Sequence, residues 1–97
     1  MKLVNVTKSP IKTKKYRATF DVDGKEKHVD FGATGYEDFT TFNKDEKEAR
    51  KQRYLKRHQR NENWDDPLTA GALSRWILWN KHTIEESIRD FKRRFKL

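Results

Sequence analysis

Lys15-Tyr16-Arg17-Ala18-Thr19-Phe20-Asp21-Val22-Asp23-Gly24-Lys25-Glu26-Lys27-His28-Val29-Asp30-Phe31, residues 15–31, has the pattern of a β-hairpin. Tyr16, Ala18, Phe20 and Val22 alternate with Arg17, Thr19 and Asp21, the two-residue period of a strand with one apolar face. Asp23-Gly24 is a dipeptide suited to a two-residue hairpin loop. With those two residues as the loop, opposed residue numbers sum to 47. Ala18 then stands beside Val29 and Tyr16 beside Phe31, and the large apolar side chains share one face. Upstream, Leu3 to Val6 reads as a third strand, joined to the hairpin through a basic loop from Lys8 to Lys15. The result is a three-stranded antiparallel meander over residues 1–32.

Downstream, Phe31-Gly32-Ala33-Thr34-Gly35-Tyr36-Glu37-Asp38-Phe39-Thr40-Thr41-Phe42 holds two glycines and four aromatics. So many aromatic rings call for burial, so residues 33–42 are expected to be a packed connection rather than a loose linker. The rest, residues 43–97, reads as helical. Asn43 followed by Glu46 resembles a capping box in front of a first helix from about Lys44 to Asn61. Asp65 and Asp66 offer N-caps before Pro67 and a second helix that runs to about Asn80. In it Leu73, Trp76, Ile77 and Asn80 keep i, i+3, i+4, i+7 spacing, and Ala72, Leu78 and Trp79 make the remaining surface apolar, which predicts an enclosed helix. Thr83 with Glu86 caps a third helix whose Ile84, Ile88, Phe91 and Phe95 line one face. The expected architecture is a single α+β domain over residues 1–97, with the meander packed against about three C-terminal helices.

Bulk properties narrow the function classes. The chain has 97 residues, of which 33% are apolar and 39% charged, so its core must be small and aromatic-rich. Lys and Arg number 23 against 15 Asp and Glu, a net charge of +8 that favours polyanionic partners. Most of the excess lies in the helical part, where 15 basic residues face 9 acidic ones. With no cysteine, the chain has neither a disulfide framework nor a thiolate metal site. The apolar run from Ala70 to Trp79 is broken by Ser74 and Arg75, and the N-terminus lacks a long apolar stretch, so a soluble, unsecreted protein without membrane contact is expected.

Arg50, Arg53, Arg57 and Arg60 fall within about 80° of one another on a helical wheel, and Tyr54, Leu55 and His58 lie on another side. Such a stripe, extended by Lys56 and by the Lys12, Lys14, Lys15, Arg17 segment, has the spacing to meet successive phosphates, which arginine engages through its planar fork. Arg89, Arg93 and Lys96 on the third helix are secondary candidates. The rival reading is a solvated face balanced by Glu46, Glu48 and Glu62. Tyr16, Phe20 and Phe31 have the composition of a base-stacking platform, but the helices need an apolar sheet face to cover, which favours core. Trp64, Trp76 and Trp79 have the composition of partner-anchoring hot spots, but with so few aliphatic residues in the chain they are read as core. His58, Asn61 and His82 match no metal-ligand spacing, and no glycine-rich phosphate loop is present.

Four blocks carry a resemblance: F-G-A-T-G-Y-E-D-F from Phe31, R-Y-L-K-R-H from Arg53, N-W-D-D-P-L-T-A-G-A-L-S-R-W-I-L-W-N-K from Asn63, and I-R-D-F-K-R-R-F from Ile88. Over about residues 31–95 the chain resembles a family of short basic proteins of unknown function from giant, nucleocytoplasmic large DNA viruses. The resemblance implies a viral origin and a place in the virion, or in the host cytoplasm or nucleus during infection. It brings no catalytic residue and no cofactor. The expectation is therefore a non-enzymatic protein that binds the DNA phosphate backbone without base readout. The alternative is a structural protein of the particle that acts through homodimer or other virion-protein contacts.

Overall fold

The computed structural model describes residues 1–42 and 45–97. Its sheet is the expected meander: β1 (Lys2–Lys8), β2 (Lys14–Val22) and β3 (Lys25–Ala33), antiparallel and in the order β1-β2-β3. Asp23 and Gly24 both have positive φ, 53° and 83°, as a type I′ hairpin turn requires, and the Asp21 carboxylate accepts the Gly24 N–H. The register follows at once, with Tyr16 opposite Phe31 and Ala18 opposite Val29. Leu3 and Val6 are three residues apart, so a regular strand would send them to opposite faces. A bulge between Leu3 and Asn5 resolves the conflict: Leu3 pairs with Phe20 and Val6 with Ala18 on the same face, and Val4 is left exposed.

The second helical segment is wound in two ways. α2 (Ala70–Leu73) runs without a break into a π-helical turn (Ser74–Leu78), in which the Trp79 N–H reaches back five residues to the Ser74 carbonyl. The expected start at Pro67 is wrong by three residues. Thr69, not Asp65 or Asp66, is the N-cap, and its side chain accepts the Ala72 N–H. Asp66 instead closes the preceding turn by accepting the Leu68 N–H. The wide turn distributes four consecutive apolar residues: Ile77 and Leu78 are buried in the core, Trp76 meets Arg94 of α3 (Ile84–Phe95), and Trp79 meets Tyr54 of α1 (Lys47–His58).

Leu73, Ile77 and Leu78 with Phe91 of α3 cover Leu3, Ala18, Phe20 and Phe31, and Phe20 and Phe91 meet with ring centroids 6.5 Å apart. The sheet aromatics are thus core, as the packing argument required. Thr83 caps α3 by accepting the Glu86 N–H, and the far end closes through Lys96 in a left-handed conformation. Asp90 ties α3 to the turn after Trp79: it accepts from Asn80 at 2.6 Å and pairs with Arg93 and Arg94. Burial acts to raise its carboxyl, but hydrogen bonds from Asn80 and Arg93 and the charge of Arg94 outweigh it and hold the group below the ordinary range.

Within residues 33–42, Asp38 is buried and accepts from Lys15 at 2.7 Å and from the Thr40 hydroxyl and N–H, whereas residues 33–37 are exposed. The Phe39 N–H donates to the Leu78 carbonyl. One expectation fails: Phe31 and Phe39 are buried and Phe42 is half-buried, but Tyr36 is 75% exposed. Gly32 is where the sheet and the π turn come closest. Its φ is +79°, and an added Cβ would lie 2.8 Å from Leu78 Cδ1 and 3.2 Å from Lys15 Cβ. Gly32→Ala is therefore expected to destabilise the fold by about 2–3 kcal/mol, from strain and overpacking together. Urea unfolding followed by circular dichroism measures it, and a loss under about 0.5 kcal/mol would mean the strand end and the π turn are not in contact.

Candidate functional site

α1 begins at Lys47 and ends at His58, shorter at both ends than the sequence suggested. The Asn43–Glu46 capping box involves a residue outside the described ones, and Glu46 makes no side-chain cap. Few apolar residues hold the helix in place, and rings and cations do the work instead. Tyr54 lies on Trp79 at 4.5 Å with planes 7° apart, and His58 lies on Tyr54 at 4.4 Å. Lys51 donates to the Asn80 carbonyl and sits 4.9 Å over the Phe39 ring, and Arg50 sits 4.4 Å over Phe42. Burial, then the charge of Arg75, pulls the Lys51 ammonium below its ordinary range, and burial pushes the Tyr54 hydroxyl up.

Between α1 and the end of the sheet lies a cleft of about 840 Å³. Arg50, Arg53 and Arg57 form one wall, with Tyr54 and His58 between them. Lys14 and Lys15 from β2 and Gly35, Tyr36, Glu37 and Asp38 from the connection form the other. The floor is Gly71, Ser74, Leu78 and Trp79. Phe42, Trp79, Tyr54 and His58 make a row of rings along it, each in contact with the next.

The charges in this cleft differ in how far they are already neutralised. Lys15 is bound to Asp38 at 2.7 Å, Arg50 pairs with Glu46 at 3.3 Å, and His58 faces Glu62 at 3.3 Å. Among the described residues, Lys14, Arg53 and Arg57 make no ion pair, and all three are exposed. A multivalent anion entering between them would meet charge that no carboxylate has already answered.

The sequence-derived candidates are thereby divided. Arg50, Arg53 and Arg57 share the cleft, joined by Lys14 and Lys15 from the strand. Lys56 is exposed outside it, and Arg60 lies past the end of α1 and does not line the cleft. Arg89, Arg93 and Lys96 on α3 do not reach the cleft, and Arg93 is paired with Asp90. Arg17, which could have extended the basic surface, is held by Asp30 at 3.0 Å on the sheet's outer face; its hydrogen bonds, with one from Ser9, keep the Asp30 carboxyl below the ordinary range. Trp64 and Trp76 are half-buried beside Arg75, whose guanidinium lies 4.1 Å from Trp76 and donates to the Trp79 carbonyl. His58 and His82 stack on Tyr54 and Phe39, and no cluster of metal-ligating side chains occurs among the described residues. The cleft's other features, Tyr36 and Phe42, are not singled out as functional by the sequence.

The model of a family of unknown function (DUF5754) matches residues 4–58. No curated protein and no solved structure matches the chain. The matched residues take in nearly all of the meander, including the hairpin that carried least of the sequence resemblance, and both walls of the cleft. The floor, from Ala70 onward, lies outside them.

Proposed function

We propose, for a chain that belongs to the DUF5754 family of unknown function, that the cleft between α1 and the sheet end binds the phosphates of nucleic acid. The observation that carries the reading is the meeting of Arg53 and Arg57 from a helix with Lys14 from a strand on one concavity, each without an acidic partner. Arg50 adds a fourth cation, held at a fixed height by Phe42 and Glu46. Cations fixed by stacking and secondary structure lose little freedom on binding, so each phosphate contact contributes more than it would from a flexible tail. Base-specific readout is not part of the proposal, because the sequence carries no homeodomain, zinc-finger or basic-zipper signature. In this reading the protein is a non-enzymatic, genome-associated component of a large DNA virus, present in the virion and in the infected cell, as the residue blocks from Phe31 to Phe95 suggest.

The test is fluorescence anisotropy of labelled duplex DNA with the purified chain across a salt series, with the mass measured by size exclusion in parallel. Four contacts predict that log K falls against log salt with a slope of about −3 to −4. No binding even at low salt would overturn the proposal, and a stable homo-oligomer with that result would favour a structural protein of the particle.

A further inference from the structure

We infer that the strand taken into this cleft is single, with an unpaired base laid on Tyr36 while the adjoining phosphates meet Arg53, Arg57 and Lys14. The inference rests on the phosphate-binding reading and narrows it to one kind of nucleic acid. Three observations converge on it.

Tyr36 is the first. It is 75% exposed, in a connection whose other aromatics are buried or half-buried, and it lines the cleft opposite the arginine wall. No ring of the protein stacks on it among the described residues. An exposed phenol contributes little to folding, so its exposure asks for another use.

The shape of the site is the second. About 840 Å³ falls in the range of sites that enclose a nucleotide-sized ligand, roughly 300–1,000 Å³. A duplex keeps its bases stacked inside and presents only edges and backbone to such an opening, whereas a single strand can turn a base face onto an aromatic ring. The cleft lining continues the same chemistry, since the row from Phe42 through Trp79 and Tyr54 to His58 is aromatic throughout.

The third is that the other basic surfaces are less suited. On the outer face of the sheet Arg17 is neutralised by Asp30. On α3, Arg93 and Arg94 are both held by Asp90, and Arg94 lies 3.6 Å from the Trp76 ring, already stacked within the protein. Only the cleft joins unpaired cations to an unoccupied aromatic face among the described residues.

The experiment compares three fluorescein-labelled probes of twelve units on the full chain at one salt concentration: oligo-dT, an abasic strand with the same phosphates, and a duplex. Oligo-dT is expected to bind roughly tenfold or more tighter than the abasic strand, the scale of one stacked base. Tyr36→Ala is expected to erase that difference, and Tyr36→Phe to preserve it. Circular dichroism of Tyr36→Ala should match the parent. Equal affinity for oligo-dT, abasic strand and duplex would overturn the single-strand inference and leave the phosphate reading standing. Failure of all three probes to bind would overturn both.

Discussion

Phe91→Ala is expected to remove about 3–5 kcal/mol of stability, the cost of deleting a ring from a site that cannot collapse around the gap. Phe91 is fully buried, faces Phe20 of the sheet and Phe95 of its own helix, and is the one fully buried hydrophobic residue that α3 contributes to the core. Small domains are stable by only about 5–10 kcal/mol, so the loss is about a third of the total or more. With a fall of about 4–8 °C per kcal/mol, the midpoint of thermal unfolding should drop by at least about 12 °C. Chemical denaturation supplies the free energy directly, and an unchanged denaturant slope would show that the variant still unfolds as the parent does. A loss below about 1 kcal/mol would mean that α3 does not cover the sheet.

The elements that were legible in the sequence are those whose pattern had one physical solution. Asp23-Gly24 fixed the hairpin register because only one pairing gathers Tyr16, Ala18, Val29 and Phe31 on a single face, and the pairs are found in that register. Thr83 and Glu86 marked the start of α3 because a hydroxyl three residues before a helical N–H has little else to do. The ends of α1 and α2 were misplaced where several caps competed. Asp65, Asp66 and Thr69 can each cap a helix, and the choice fell to Thr69 because Asp66 was already spent on the turn. The π turn was illegible, since a run of apolar residues satisfies a 3.6-residue and a wider winding equally well until Trp76 and Trp79 have neighbours to separate toward.

The candidate site was half legible for a related reason. Periodicity put Arg50, Arg53 and Arg57 on one face, since three helical residues need no knowledge of the rest of the chain. It could not show that Lys14 and Lys15 stand across from them, nor that Asp30 and Asp90 take Arg17, Arg93 and Arg94 out of play. Those are tertiary facts, set by the meander's register and by the docking of Tyr54 on Trp79. Tyr36 was misread for the opposite reason. Composition places an aromatic among aromatics in the core, whereas the backbone at Gly35, with positive φ, leads the chain so that Tyr36 stays outside.

The double charge reversal Arg53→Glu with Arg57→Glu is expected to weaken nucleic-acid binding at about 0.1 M salt by roughly a hundredfold or more. Two lost phosphate contacts account for a little under two powers of ten at that salt, and the introduced carboxylates repel the backbone in addition. The salt slope should become shallower by about two, which a general loss of folding would not produce. Both side chains are exposed and unpaired among the described residues, so the helix signal in circular dichroism should stay close to the parent's. Because reversal at two sites takes the net charge from +8 to +4, the control is the equal change on α3, Arg89→Glu with Lys92→Glu, at two exposed residues without an ion pair among the described residues. Long-range attraction depends on total charge and would suffer in both variants, whereas direct contact depends on place. A loss confined to the α1 pair would assign binding to the cleft. Equal losses in the two variants would mean that the protein meets polyanions through its overall field, with no surface singled out, and would withdraw the site from α1.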